Sequence, residues 1–492
     1  MKKELRDLLR ERGRKDMPAV LLAAAECMPL SKTGGLADVV GTLPKALRTL
    51  GVDARVITPY HRIIKDKYFG QTEHMFHFYS RLGWRQAYVG IEKLVVDGVV
   101  FYLVDNEQYF GDRIYRGGYA EGEQYAFFCR AVLDTIPILD YCPEIVHCND
   151  WHTAMLPMLA RTQYVGGMQE RLRYLLTIHN IAFQGKFGFD YVQDLLGVDG
   201  RYYTSEFMEL NGCADFLKGG CVFADRINTV SPSYAEEIRT VEYGEGLEGI
   251  LNARSWQLNG IINGIDKELF NPHRDPLLPA RYNRGLLRGK ARCKEVLQEQ
   301  LGLQRAPEAP VFAMVTRMTG QKGFDLVCAV LDELMSNSNM QFVLLGSGEG
   351  PFEEFMRSAE QRWKGRLCAY IGYNENLAHL FYAGSDFYLM PSRFEPCGLS
   401  QMIAMRYGSI PIVRETGGLR DTVRPYNRYT GEGTGLSFAH YDTQELKDAM
   451  YRALECWSSD EVMHGLVQSA MAEDFGFARS AEEYAKTYLW ML

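Results

Sequence analysis

A lysine and two glycines stand together in the stretch Ser31-Lys32-Thr33-Gly34-Gly35-Leu36-Ala37-Asp38. The apolar run Ala19 to Ala25 precedes them and reads as a buried strand. Leu36, Val39, Val40, Leu43, Leu47 and Leu50 follow at helical spacing, and Gly51 ends the pattern. The lysine therefore sits in a strand-to-helix turn. Glycines there let the backbone come close to a ligand, and the helix start offers unpaired N–H groups and a positive dipole end. A lysine beside them completes a place for phosphate, or for charge developing on phosphate. Taken alone, a tight turn with a solvated lysine would look the same.

Other chemistry-bearing residues gather at the ends of predicted strands. His147-Cys148-Asn149-Asp150-Trp151-His152 follows the strand Ile145–Cys148. Neighbouring strand positions face opposite sides, so this cluster does not converge on zinc, and no metal is expected. Asp150 and Trp151 suit a sugar better, the carboxylate for hydroxyls and the ring for stacking. His179-Asn180 ends the strand Tyr174–Ile178, a position that favours function for a histidine that could otherwise be structural. Arg317 and Lys322 follow the strand Val311–Thr316, and two cations at a helix start suit a diphosphate. Gly346-Ser347-Gly348-Glu349-Gly350 could carry a nucleotide, but its third glycine comes one place early for the dinucleotide fingerprint. No acidic residue ends the next strand, Leu367–Ile371, which also disfavours a dehydrogenase. Tyr373 stands where a base could stack, and equally where a surface tyrosine would stand. The loop Ser392–Gln401 follows the strand Phe387–Met390; its Glu395 could be a helix-dipole partner or reach a ligand.

The elements that hold these groups alternate between strand and helix almost throughout. The remaining predicted strands are Ala54–Thr58, Val99–Val104, Arg226–Val230 and Gly260–Ile262 in the first half, and Gln341–Leu345 and Ile410–Val413 in the second. This alternation implies parallel sheets covered on both faces, in two doubly wound α/β domains. Each half opens with strand, lysine, glycine and helix, and Glu415-Thr416-Gly417-Gly418-Leu419-Arg420-Asp421 is a shorter echo of the opening stretch. Ligands in such sheets bind beyond the carboxyl ends of the strands, so a cleft between the domains is the expected site. Between the halves, prolines at 272, 276, 307 and 310 bracket a basic stretch from Arg281 to Lys294, read as a solvated helix and connector.

Composition narrows the function further. At 492 residues the chain exceeds one ordinary core. A net charge of -8 argues against a general nucleic-acid binder. Its 11 scattered cysteines contain no CxxC pair, which points to a reducing compartment and a cytoplasmic protein. No apolar run has the length of a membrane span. The basic N-terminus is diluted by Glu4, Asp7, Glu11 and Asp16, and cleavage after Ala25 would remove the strand behind the lysine turn, so no secretory signal is expected.

Several motifs in one order carry a resemblance: Lys-Thr-Gly-Gly-Leu-Ala-Asp at 32–38, Asp-Trp-His at 150–152, Ile-His-Asn at 178–180 and Asn-Gly-Ile-Asp at 263–266. Arg317 with Gln321-Lys322-Gly323, Glu-Pro-Cys-Gly-Leu at 395–399 and Thr-Gly-Gly-Leu at 416–419 complete the set. Together they resemble the starch and glycogen synthase family of retaining glycosyltransferases, from Pro18 to Leu492. The first sixteen residues and the loop after Phe110 depart from the family pattern.

The resemblance implies a GT-B fold, two Rossmann-like domains facing each other across a cleft. An extension over 1–16 would precede an acceptor-side domain over 17–266, onto which a C-terminal helix over 477–492 packs back; a nucleotide-sugar domain would span 267–476. It also implies glucose transfer from ADP-glucose to the nonreducing end of glycogen or a maltooligosaccharide, with retention, release of ADP and no cofactor. By the resemblance, Arg317 and Lys322 hold the diphosphate, and Lys32, Gly35 and Thr416 add phosphate contacts. Asp38, Asn263, Glu395, Cys397 and Leu399 would line the donor pocket, with Gly398 and Gly417 in the same two loops. Asp150, Trp151 and His179 would lie at the transferring glucose, and Tyr373 would stack on adenine. Fixed cations can stabilise the departing diphosphate, and Glu395 can steady an oxocarbenium-like glucose. With no second carboxylate apparent as a nucleophile, front-face attack is favoured over a covalent intermediate. Two other readings stay open: a glucan-binding protein without transfer activity, and a phosphorylase-like enzyme, which would need a lysine-bound pyridoxal phosphate.

Overall fold

The computed structural model describes residues 3–492. Contacts divide the chain into two units, Met1–Gly264 with Phe477–Leu492, and Ile265–Gly476.

The first unit contains β1 Ala19–Ala23, β2 Asp53–Pro59, β3 Glu73–Leu82, β4 Arg85–Val96, β5 Val99–Asp105, β6 Ile145–Asn149 and β7 Arg173–Ile178. Short strands β8 Lys186–Phe187, β9 Glu209–Leu210 and β10 Cys213–Asp215 form a small separate sheet, and β11 Arg226–Thr229 and β12 Leu258–Gly260 complete the large one. The large sheet has nine strands in the order β12-β11-β7-β6-β1-β2-β5-β4-β3. Strands β12 to β5 are parallel, whereas β4 and β3 are antiparallel. Successive residues of β1 point to opposite faces and feed two separate cores: Leu21 and Ala23 enter one, Val20 and Leu22 the other. Helices Gly118–Thr135 and Trp151–Gln163 cover the first face. Helices Gly35–Thr49 and Phe477–Met491 cover the second, joined by Leu5, Leu8 and Leu9 of helix Lys3–Glu11.

The second unit has one sheet: β13 Val311–Val315, β14 Gln341–Gly346, β15 Leu367–Ile371, β16 Phe387–Met390, β17 Ile410–Arg414 and β18 Leu436–Phe438. Its order is β15-β14-β13-β16-β17-β18, parallel throughout. Both sheets are doubly wound. The chain moves outward from β1 through β2 and returns to β1's other side as β6; it moves outward from β13 and returns as β16. The crevices between β1 and β6, and between β13 and β16, are the switch points where such sheets hold ligands.

The structure departs from the sequence reading in several places. The first sheet is mixed, because a long hairpin, β3–β4, stands where no strands were predicted; its two-residue turn has Gly83 at φ 60°. The predicted strand Gly260–Ile262 lies two residues earlier, at Leu258–Gly260. The basic stretch is not simply solvated: on helix Arg288–Gln300, Lys290 donates to the Ala383 and Ser385 carbonyls, and buried Lys294 pairs with Asp386 at 2.6 Å. These two cations tie the connector into the second unit. No helix among the described residues is long and apolar enough to cross a membrane.

Candidate active site

In the first unit the β1 end leads into the lysine turn. Gly34 is the extended N-cap residue of helix Gly35–Thr49, and Asp38 lies in the helix's first turn. Lys32 Nζ reaches back to Asp38 Oδ1 at 2.8 Å, so the lysine and the carboxylate form a half-buried ion pair.

Across the crevice, β6 is followed by Asp150, which adopts φ 56°, a region costly for a non-glycine residue and concentrated at functional sites. Its Oδ1 accepts the backbone N–H of His179 at 2.7 Å and of Asn180 at 3.3 Å. Burial nevertheless raises its pKa to about 7, outweighing the two N–H groups that favour the charged form. His179 is held through Nε2 by Asn149 Oδ1 at 2.9 Å. Asn149 Nδ2 donates to the Ala23 and His147 carbonyls, which turns its oxygen towards His179. The His179 proton therefore sits on Nε2, leaving Nδ1 as an acceptor. Burial lowers this imidazole's pKa to about 3, so it is neutral at physiological pH. Asn263, beyond β12, is buried with its side-chain oxygen lacking any hydrogen-bond partner among the described residues. Such an acceptor is costly unless a ligand supplies a donor.

Trp151 requires a correction. It is 5% exposed and packed in the core among Tyr125, Phe187 and Phe216, with the α-carbon of Gly185 close against the ring. It has no open face for stacking on a sugar; it is the first residue of the helix Trp151–Gln163 and packs into the core. His147 also belongs to the core, bonded to Tyr488 at 2.8 Å and Thr177 at 2.6 Å. Among the described residues no group of three His, Cys, Asp or Glu side chains is placed to hold a metal.

In the second unit, Arg317 follows β13, exposed and without an ion-pair partner among the described residues. The turn Gly320–Lys322 ends at Gly323, whose φ is 76° and where a Cβ would stand 2.2 Å from the Pro391 carbonyl. Only glycine lets the two loops touch there. The contact brings Lys322 to Glu395, with Nζ to Oε2 at 2.6 Å, and Ser392 Oγ donates to the same oxygen at 3.0 Å. Arg414, at the end of β17, grips the loop by donating to the Ser392 carbonyl at 2.8 Å and to that of Arg393. Gly417 closes the site from the other side: its φ is 44°, and a Cβ would stand 2.0 Å from the Glu395 carbonyl. Thr416 is the extended N-cap residue of helix Gly417–Thr422, and the Gly418 N–H donates to the Glu395 carbonyl at 3.1 Å. Cys397 is buried, Gly398 adopts φ 71°, and Leu399 precedes helix Ser400–Arg406. Tyr373 is 80% exposed ahead of helix Glu375–Gly384.

Each unit thus places a lysine–carboxylate pair beside its switch point, Lys32 with Asp38 and Lys322 with Glu395. The family model for the starch synthase catalytic domain matches residues 19–253, and that for glycosyl transferases group 1 matches 299–468. A glycogen synthase of Geobacillus thermodenitrificans is 48% identical over 470 residues, 95% of this chain and 97% of the relative. One from Bacillus subtilis is 44% identical over 95% of this chain and 97% of its own length.

The chain belongs to the starch and glycogen synthase family.

It is therefore a glycosyltransferase. The catalytic domain of Arabidopsis thaliana starch synthase IV, solved bound to ADP and acarbose, superposes with a TM-score of 0.89 at 32% identity, covering 97% of this chain and 99% of that one. A sucrose-phosphate synthase from Thermosynechococcus elongatus shares the fold at a TM-score of 0.61 and 17% identity, covering 96% and 98%. The architecture is GT-B. Two residues of these loops were missed in the sequence: Glu26, a buried carboxyl just past β1, and Arg414. Their one signal was position, directly after an apolar strand run.

Proposed function

We propose that this chain transfers glucose from ADP-glucose to the nonreducing end of an α-1,4-glucan, with retention of configuration. The observation that carries the reading is the Lys322–Glu395 pair, a cation and a carboxylate joined beside the β13–β16 switch point. The bond from glucose C1 to the β-phosphate oxygen breaks, and C1 bonds to the acceptor O4. The acceptor proton passes to the departing phosphate, so the products are ADP and a glucan longer by one glucose. Arg317 and Lys322 take up the charge left on the diphosphate, with Lys32 adding to it. A phosphate competing for Lys322 releases Glu395, whose carboxylate then steadies the positive charge at C1. Neutral His179 offers Nδ1 to a sugar hydroxyl, and Asn263 offers its unpartnered oxygen. Tyr373 presents an exposed ring to adenine. The 11 cysteines, all free thiols, fit a reducing, cytoplasmic setting.

The test is nucleoside diphosphate release with glycogen present, using ADP-glucose and UDP-glucose in turn. Faster release from ADP-glucose, with glucan extension, is expected. Release from UDP-glucose alone overturns the donor assignment, and glycogen binding without release from either makes the chain a glucan-binding protein.

A further inference from the structure

The segment between β1 and helix Gly35–Thr49 is tied down at its start. The Leu30 and Ser31 N–H groups donate to the Cys27 carbonyl at 2.8 and 2.9 Å, and the Met28 N–H donates to the Ala37 carbonyl at 3.0 Å. The residues around Lys32 then cross back over the strand end, and Thr33 donates its backbone N–H to Glu26 Oε2. The Thr33 side chain and the Tyr115 hydroxyl lie near the Glu26 carboxyl and favour its charged form. The Tyr115 ring is wedged against His152 and Tyr125, with centroids 5.0 and 6.1 Å apart. At Gly34 a Cβ would stand 3.6 Å from Glu26 Oε1, so the turn lies directly on the carboxyl.

Glu26 is an unusual group to bury. It is 2% exposed, no lysine or arginine among the described residues forms an ion pair with it, and Asp38 lies close enough to repel it. A buried carboxyl without a counter-ion costs stability unless its hydrogen bonds compensate. Here the bond is to the backbone N–H of Thr33, the residue beside Lys32.

We infer that Glu26 is a positioning residue: braced by Tyr115, its carboxyl holds Thr33 and so aims Lys32 at the donor's diphosphate. This rests on the transfer reading above. Glu26 needs to touch neither sugar nor phosphate. What it supplies is a fixed acceptor oxygen under the turn, which an amide oxygen can replace and a methyl group cannot.

The experiment uses the full chain and inorganic pyrophosphate as the probe, followed by calorimetry, alongside donor and glycogen KM from ADP release. Glu26→Ala is expected to weaken pyrophosphate binding and raise donor KM by about tenfold, as for one lost bond to a charged acceptor, with glycogen KM unchanged. Glu26→Gln is expected to stay within about threefold of wild type, because it keeps the acceptor. Unchanged pyrophosphate affinity in Glu26→Ala overturns the inference, as does Glu26→Gln impaired equally with Glu26→Ala. If Glu26→Ala does not fold, Tyr115→Phe keeps the ring packing and removes the brace; an unchanged pyrophosphate affinity there is equally damaging. Wild-type protein that binds pyrophosphate but releases no ADP would refute the transfer reading, while the comparison of variants by calorimetry still decides the role of Glu26.

Discussion

Replacing Glu395 with glutamine separates its charge from its shape and hydrogen bonds. In the structure its Oε2 lies 2.6 Å from Lys322 Nζ, with the side chains 8% and 17% exposed. A full charge pair at that distance is worth about 6 kcal/mol gross at an effective dielectric near 20. Desolvation offsets most of this, and removing one partner of a buried pair costs about 3 kcal/mol. Glutamine can retain the Ser392 hydroxyl bond, and the partly exposed Lys322 can recover some hydration, so a stability loss of about 1–2 kcal/mol is expected. Anion binding should move the opposite way. A diphosphate no longer has to displace a carboxylate from Lys322, and ADP should bind about tenfold more tightly, ~1.4 kcal/mol. Turnover should fall by at least about a hundredfold, roughly 3 kcal/mol, because no charge faces the anomeric carbon. Thermal melting, calorimetry with ADP and a coupled ADP-release assay read the three quantities. ADP affinity that is unchanged or weaker would refute the exchange of Lys322 between carboxylate and phosphate. Near-wild-type turnover would refute a catalytic role for the charge.

Arg317→Ala and Lys322→Ala should each cut turnover by about 3 kcal/mol or more of transition-state stabilisation while leaving glycogen binding intact, measured by kinetics beside a glycogen pull-down; a variant with normal turnover does not face the diphosphate. Asp150 has a folded pKa near 7, above its unfolded value, so its contribution to stability is greatest at low pH and is lost as pH rises through 7. Between pH 6 and 8 wild type should therefore lose about 1 kcal/mol more stability than Asp150→Asn, in denaturant titrations at each pH; parallel curves would refute the raised pKa. Gly417→Ala places a methyl group where only 2.0 Å separates it from the Glu395 carbonyl, at φ 44°. It should cost about 2 kcal/mol or more and lower turnover by displacing Glu395, read by melting temperature and kinetics; an unaltered protein would mean that the two loops move apart freely.

The residues that sequence made legible are those whose placement is local. Apolar strand, lysine, glycines and helical spacing predict the turn at Lys32 without reference to the rest of the chain, because the helix start and the glycine conformations are short-range effects. The same holds for Lys322 before Gly323 and for Glu395 between β16 and helix Ser400–Arg406. Strand alternation likewise predicts two doubly wound sheets. Sequence could not say which strands lie side by side. The orders that put β6 beside β1 and β16 beside β13 come from long-range burial of both sheet faces, and the second of them brings Glu395 to Lys322. The β3–β4 hairpin escaped notice because exposed apolar residues, Tyr79 in β3 and Val95 in β4, blur the alternation of buried and polar positions. Trp151 reads as a sugar platform until packing encloses it, and Glu26 goes unnoticed until the turn folds over it. Residue type and local spacing thus determined which groups could act; desolvation and contact between distant segments decided which of them are charged, paired or walled into the core.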